Sequence, residues 1–227
     1  MYSAEKRACR RGRANLKKDN IIGIYLAAGS SSRMGKNKLA LPLKGKPLGS
    51  LALTTAVRSK LDHTLVVVRQ AEEPPAWIKT EFSGNSRNNW SFVSCPNAGQ
   101  GMSSSLKCGV KAALGMEAAA LLIMLADQPF IQAGMVNHLI AEFQKRSASR
   151  DQIEFVASSF KGEILPPILF AKSIFPLLLK LEGDQGARKL VREGSRRGVF
   201  RAYDDWRLFY DIDTKEDYEK ARGCTNG

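Results

Sequence analysis

The sequence has few of the residues that most zinc sites and disulfide scaffolds use. It contains two histidines and four cysteines, and no two cysteines form a C-x-x-C pair. A zinc site and a disulfide framework are therefore not expected, and we interpret Cys9, Cys95, Cys108 and Cys224 as reduced thiols. No segment approaches the roughly 20 apolar residues that span a membrane, and residues 1–20 lack the apolar core of a secretory signal. We expect a cytoplasmic protein with no membrane partner.

Positive charge is concentrated at the start of the chain. The formal net charge of the 227 residues is +13, and residues 1–20 contribute seven basic against two acidic side chains. We predict a basic, disordered tail over residues 1–20 and a single domain over residues 21–227. The tail has few aromatic residues and no nucleic-acid-binding motif follows it, so a nucleic-acid partner is not expected. The basic excess of the domain favours anionic substrates.

The pattern of apolar residues alternates between strand and helix. Such alternation predicts an α/β fold with a doubly wound, mostly parallel sheet, Rossmann-like, with helices on both faces. Ligands of such sheets bind at the carboxyl ends of the strands. Strands are predicted at 21–27, 63–70, 90–96, 119–129, 153–160, 198–204 and 207–213. Helices are predicted at 47–60, 101–115 and 134–147, with a turn and short helix at 71–82 and a proline-containing turn and two helices after residue 160.

A loop of small and basic residues follows the first predicted strand. The segment "IYLAAGSSSRMGKNKLALPLKGKPL", residues 24–48, has neither the G-x-G-x-x-G nor the G-x-x-x-x-G-K-[ST] pattern. Small side chains at Ala28 and Gly29 let a ligand approach the backbone, and successive amides in such a turn bind anions. Arg33, Lys36 and Lys38 add positive charge. The segment therefore predicts a polyphosphate site.

Asp127 follows the buried apolar run "LLIMLA". Two interpretations of this aspartate are possible. In the structural one it caps the turn at Pro129. In the functional one it holds Mg²⁺, which prefers one or two carboxylates together with phosphate oxygens.

A second acidic segment, "DIDTKEDY", lies near the end of the chain. Either Thr214 or Asp213 caps the following helix, with Glu216 or Asp217 completing a capping box. Alternatively, Asp213 or Asp211 supplies a second metal-binding carboxylate opposite the first.

Five segments together resemble one enzyme family. "LAAGSSSRMGKNKLALPLKGKPL", "GQGMSSSLKCGV", "LADQP", "GDQGARKL" and "DIDTKEDY" occur in the order found in MobA-like nucleotidyltransferases. More narrowly, the chain resembles the MocA/PucB branch, the molybdenum cofactor cytidylyltransferases, over about residues 21–221. The resemblance implies a fold like that of nucleotide-diphospho-sugar transferases.

The resemblance also implies a role for particular residues. Arg33, Lys38 and Asp127 would be catalytic, and Asp127 and Asp213 would hold Mg²⁺, with Asp211 as a competitor for Asp213. The acceptor side would be formed by Asp184, Gly186, Ala187 and Arg188. The nucleotide would contact Leu26, Ala27, Ala28, Gly29, Ser30, Arg33, Lys38, Asn97, Gly101, Ser103 and Ser104.

The implied reaction is transfer of CMP from CTP to the terminal phosphate of the molybdenum cofactor, with release of pyrophosphate. In this superfamily "LAAG" tends to accompany pyrimidine nucleotides and "LAGG" to accompany GTP, so Ala28 favours CTP. The client would be a xanthine dehydrogenase-type molybdoenzyme.

The sequence is also compatible with three alternative functions. The chain could use GTP or another acceptor, such as a sugar or isoprenoid phosphate. It could instead deliver the cofactor without catalysis, or bind nucleic acid through residues 1–20. The sequence also departs from the family, since Leu165-Pro166-Pro167 replaces a Gly-His-Pro or Gly-Asn-Pro segment and Lys215 replaces a proline.

Overall fold

The structure, a computed structural model, describes residues 20–29, 37–69, 72–82, 89–149, 152–193 and 197–223. The strands are β1 (Ile21–Leu26), β2 (Pro42–Leu43), β3 (Lys46–Pro47), β4 (His63–Arg69), β5 (Trp90–Cys95), β6 (Ala120–Leu125), β7 (Phe155–Phe160), β8 (Glu163–Ala171) and β9 (Gly198–Ala202). The helices are α1 (Leu48–Arg58), α2 (Ala76–Phe82), α3 (Met102–Gly115), α4 (Ala133–Ala148), α5 (Phe175–Leu178), α6 (Arg188–Arg192) and α7 (Lys215–Gly223).

Seven strands form one sheet in the order β5-β4-β1-β6-β8-β7-β9. All neighbouring strands are parallel except β8, which runs antiparallel to both β6 and β7. Buried residues of α1, α4 and α7 pack on one face, and those of α3, α5 and α6 pack on the other. The predicted mostly parallel, doubly wound α/β sheet is confirmed.

The centre of the sheet places the carboxyl ends of several strands together. β1 pairs in parallel with β4 on one side and with β6 on the other. β1 and β6 are buried on both faces, as continuous apolar runs predict for central parallel strands. Residues that follow β1, β4, β5 and β6 therefore lie along one edge of the sheet.

The prediction of a turn followed by a helix after residue 160 is wrong for Glu163–Ala171, which form the strand β8. Prolines are tolerated there because the pairing with β7 is interrupted beside them. Ile168 lies opposite Ala157 but Leu165 lies opposite Ser158, so Pro166 and Pro167 fall within a bulge. A bulge is a position at which the missing N–H of proline removes no regular sheet hydrogen bond.

The prediction of a last strand at 207–213 is also wrong. Trp206–Phe209 form a 3-10 helix, whose first residue is preceded by Asp205. The Asp205 side chain accepts a hydrogen bond from the Arg207 N–H at 3.0 Å, and this local cap competes with extended structure.

Other expectations have mixed outcomes. Cys95 and Cys108 are bonded as a disulfide, so the interpretation of these two residues as reduced thiols is wrong. The bond joins the end of β5 to α3, which the spacing of the two residues in sequence did not indicate.

None of the helices within the described ranges combines the length and apolar character needed to cross a bilayer. Residues 1–19 lie outside the described residues, and the division into tail and domain stays a prediction.

Candidate active site

Two adjoining cavities open at the carboxyl edge of the sheet. The first, which we call the loop cavity, has a volume of about 650 Å³ and is lined by the end of β1 and by residues 98–101. The second, which we call the α6 cavity, has a volume of about 540 Å³ and is lined on one side by α6. The two cavities share six lining residues: Leu26, Met102, Leu125, Asp127, Asp184 and Asp213.

A lysine joins two carboxylates at the junction of the cavities. The ammonium of Lys38 lies 2.8 Å from Asp127 Oδ2 and 2.9 Å from Asp213 Oδ1. It also donates a hydrogen bond to the carbonyl of Ile212 at 2.9 Å. Three segments that are distant in sequence therefore converge on one positive charge.

Each of these three side chains is held by its local structure. Lys38 begins a 3-10 turn in which the side chain of Asn37 accepts a hydrogen bond from the Leu39 N–H. Asp127 lies just after β6, and its carbonyl accepts a hydrogen bond from the Ile212 N–H at 3.0 Å. This backbone contact holds Asp213 beside the end of β6.

The cap of α7 leaves Asp213 available to the site. The Asp217 N–H donates to Thr214 Oγ1 at 3.1 Å, and Asp217 Oδ2 accepts from the Thr214 N–H at 2.9 Å. This reciprocal pair is a capping box. Of the capping alternatives, Thr214 with Asp217 is confirmed, so the Asp213 carboxylate points to Lys38 instead of serving as the cap.

Burial and neighbouring charges shift the pKa values of Lys38 and Asp211. Burial alone would lower the pKa of Lys38, but the Asp127 and Asp213 carboxylates outweigh it and the net pKa is raised. Lys38 therefore stays protonated at neutral pH. Asp211 lines only the α6 cavity, and burial, followed by the negative charge of Asp127, raises its pKa to about 6.

The residues present fit a divalent cation. Asp127 Oδ1 is buried and has no hydrogen-bond partner in the part of the chain that the structure describes, so one hard oxygen of this pair is uncommitted. Among the described residues there is no cluster of three or more His, Cys, Asp or Glu side chains with metal-binding geometry. A set of two carboxylates that leaves the remaining positions to phosphate oxygens is one that Mg²⁺ prefers.

The structure places five of the eleven predicted nucleotide-binding residues in the wall of the loop cavity. Asn97 is exposed, Ser103 is buried and Ser104 is half-buried, and like Ala27 they are absent from the cavity wall. Ser30 and Arg33 lie outside the described residues. The predicted nucleotide-side residues that do line the cavity are Leu26, Ala28, Gly29, Lys38 and Gly101.

All four residues predicted for the acceptor side line the α6 cavity: Asp184, Gly186, Ala187 and Arg188. Their segment contacts the start of α3 directly. The Ser103 N–H donates to the Gly183 carbonyl at 3.1 Å, and a Cβ on Gly101 would lie only 2.4 Å from that carbonyl oxygen. The two cavities thus share a tightly packed wall.

Several cavity residues were missed by the sequence reasoning. Arg69 ends β4 and lines the loop cavity, while Lys189 and Arg192 line the α6 cavity. Arg69 could have been found because it ends a strand adjacent to β1, at the edge where ligands bind. Lys189 and Arg192 carried no comparable signal, since cations in a short helix are usually exposed to solvent.

Comparisons with known proteins identify the family of the chain. Residues 23–199 match the family model described as the MobA-like NTP transferase domain. The chain is 42% identical over 205 residues to the purine catabolism protein PucB of Bacillus subtilis (strain 168), covering 89% of this chain and 96% of the relative. It is 27% identical over 158 residues to a molybdenum cofactor guanylyltransferase of Rhodobacter capsulatus, covering 66% and 75%.

A similar solved structure is that of the Mycobacterium tuberculosis Rv0371c homologue from Mycobacterium sp. strain JC1. It has a TM-score of 0.73 at 27% identity and covers 91% of this chain and 96% of that one. The fold, the family match and the identity to PucB lead to one assignment. The chain belongs to the MobA-like NTP transferase family, and it is a nucleotidyltransferase close to PucB.

Proposed function

We propose that this nucleotidyltransferase transfers CMP from CTP to the terminal phosphate of the molybdenum cofactor in a Mg²⁺-dependent reaction. The product would supply a xanthine dehydrogenase-type molybdoenzyme in the cytoplasm. The observation that carries the proposal is the Asp127–Lys38–Asp213 cluster, which lies where the loop cavity meets the α6 cavity. A group transferred between two ligands must react at such a junction.

The two cavities would hold the two substrates. The loop cavity takes CTP, whose close approach to the backbone requires small residues such as Ala28 and Gly29. The α6 cavity has an apolar floor that includes Ile123 and Ile168 and a basic side that includes Arg188. The apolar floor suits the ring system of the acceptor. The Arg188 guanidinium suits its terminal phosphate, which it can bind through two hydrogen bonds.

In the reaction an oxygen of the acceptor phosphate bonds to the α-phosphorus of CTP, and the bond from that phosphorus to the bridging oxygen of pyrophosphate breaks. A phosphate monoester is largely ionised near neutral pH, so the protein needs no strong base. Its residues screen the repulsion between two anions and hold them in line. Lys38 and Arg33 would offset the charge that develops on the leaving pyrophosphate.

Nucleotidyltransferases of this family generally use divalent metal ions. Asp127 and Asp213 would hold Mg²⁺ here, which neutralises phosphate charge as a Lewis acid. Lys38 now lies between the two carboxylates and would turn toward the phosphates when they bind.

A second candidate function is transfer of GMP from GTP to the same acceptor. It is favoured by the 27% identity to a protein named as a molybdenum cofactor guanylyltransferase. The higher identity to PucB, a purine catabolism protein, favours the cytidylyl reaction in support of a purine-oxidising enzyme, as does Ala28 in "LAAG".

The test is pyrophosphate release from CTP, GTP, ATP and UTP with Mg²⁺, in the presence and absence of the molybdenum-loaded cofactor. Release with CTP that depends on the cofactor is the expected result. Release with GTP instead would assign the protein to the guanylyl reaction. Absence of release with every nucleotide, from folded protein that binds the cofactor, would contradict catalysis and favour a delivery role.

A further inference from the structure

The basic wall of the α6 cavity contains a cation that the proposed reaction does not require. Leu190 and Val191 are buried in the core on the α3 face of the sheet, and they fix α6 in place. Arg188, Lys189 and Arg192 of the same helix all line the cavity. The helix therefore presents three positive charges to the space in which the acceptor would bind.

These three cations differ in how far the protein already neutralises them. Lys189 lies 3.6 Å from the Glu193 carboxylate. Arg188 lies within electrostatic range of Asp211, which lines the same cavity. Arg192 forms no ion pair with any carboxylate in the described ranges. A guanidinium that lines a cavity without a carboxylate partner is available to an anionic ligand.

Arg188 and Arg192 lie far enough apart on α6 to bind two different anionic groups. Residues four apart lie on the same side of an α-helix, about 6 Å apart along its axis. Of the two, Arg188 is the one within electrostatic range of Asp211, which precedes the proposed metal ligand Asp213 by two residues. Arg192 lies one turn farther along the helix. One phosphate at Arg188 would leave Arg192 facing a different part of the acceptor.

We infer that Arg192 is a specificity-determining residue that binds a second anionic group of the acceptor, about one helical turn away from the phosphate held by Arg188. The inference rests on the proposed function for the identity of the α6 cavity as the acceptor site. It adds that the preferred acceptor carries two separated anionic groups and not a phosphate alone.

The test uses small probes that need no cofactor. Binding of propane-1,3-diol bisphosphate and of propyl phosphate is measured by calorimetry with the full-length wild type, Arg192→Met, Arg192→Lys and Arg58→Met. Arg58 is an exposed arginine at the end of α1 that lines neither cavity, so its variant is the matched control for loss of one charge.

The wild type should bind the bisphosphate about 10-fold more tightly than the monophosphate, the scale of one hydrogen-bonded charged contact. Arg192→Met should lose this preference, Arg58→Met should keep it, and Arg192→Lys should keep part of it because the charge remains. Equal preference in the wild type and Arg192→Met, or no preference in the wild type, would overturn the inference. Failure of the wild type to bind the molybdenum cofactor in a parallel titration would contradict the proposed function instead.

Discussion

Lys38 and Asp127 are 89 residues apart in sequence, yet the lysine ammonium donates a 2.8 Å hydrogen bond to the aspartate carboxylate. The lysine begins the 3-10 turn that comes next after β1 among the described elements, and the aspartate follows β6, the strand that pairs with β1. The parallel pairing of the two strands thus brings Lys38, the proposed phosphate ligand, next to Asp127, the proposed metal ligand. When no metal ion is bound, the Lys38 ammonium also offsets the repulsion between the Asp127 and Asp213 carboxylates.

Replacing Asp127 with asparagine should lower turnover by at least about 100-fold, the scale of losing one electrostatic contact made in the transition state. The change removes a charge and keeps the shape of the side chain. Steady-state release of pyrophosphate measures the effect. Asp204→Asn, at an exposed residue that lines neither cavity, is the control and should leave turnover unchanged. Turnover near the wild-type value in Asp127→Asn would remove this residue from the mechanism.

Replacing Lys38 with methionine should destabilise the metal-free protein by about 2 kcal/mol, because Asp127 and Asp213 then repel each other without a partner. Urea unfolding in EDTA measures the loss. A divalent ion should restore more stability to the variant than it adds to the wild type.

Lys46→Met is the matched control for that change. Lys46 pairs with Glu81 at the same 2.8 Å distance, but the lysine side chain is 48% exposed compared with 11% for Lys38. Loss of such an exposed pair should cost about 0.5 kcal/mol. Equal losses in the two variants would contradict a special role for the Lys38 cluster.

Gly101→Ala should damage the wall that the two cavities share. Gly101 has φ +112°, and its Cβ would lie 2.4 Å from the Gly183 carbonyl oxygen and 2.9 Å from Asp184 Oδ1. The backbone must therefore shift, which we expect to lower the free energy of unfolding by at least about 1 kcal/mol and to weaken nucleotide binding. Gly99→Ala, two residues away in the same segment, meets no atom within 4 Å and should leave the free energy of unfolding close to the wild-type value. Similar behaviour of the two variants would refute the packing argument.

Asp211 should make stability depend on pH in the metal-free protein. Its pKa is raised from 3.8 to about 6 in the folded state, so the folded state binds the proton more tightly than the unfolded state does. Stability from this group is therefore greatest below pH 4 and is lost as the pH rises from 4 to 6. Asp211→Asn removes this dependence and should raise the melting temperature at pH 7.5 relative to the wild type, but not at pH 4.

Thermal unfolding in EDTA at several pH values measures the difference between the two proteins. A difference that does not change between pH 4 and pH 7.5 would mean that Asp211 is not desolvated in the folded state.

The parts of the fold that follow from local pattern could be predicted from the sequence. β1 and β6 are continuous apolar runs, and each is followed directly by residues of the site, because ligands bind where parallel strands end. This reasoning located Gly29 and Asp127. It also identified Thr214 and Asp217 as capping candidates, since a capping box depends only on residues three apart.

The parts that depend on distant contacts could not be predicted in this way. β8 contains two prolines, and only its bulged pairing with β7 shows why a strand tolerates them. The disulfide between Cys95 and Cys108 depends on how α3 packs beside β5. The placement of Arg192 in a cavity wall depends on how α6 packs on the sheet, and the local sequence is equally compatible with an exposed helix.

The central claim is that Asp127 and Asp213 form one metal-dependent centre serving both cavities. The most direct measurement is binding of Mn²⁺, followed by electron paramagnetic resonance, to the wild type, Asp127→Asn, Asp213→Asn and Asp204→Asn, with and without CTP. The account predicts one tight site in the wild type and in Asp204→Asn, strengthened by CTP, and at least about a 10-fold weaker site in each of the other variants. Unchanged Mn²⁺ affinity in Asp127→Asn and Asp213→Asn, with CTP present, would contradict it.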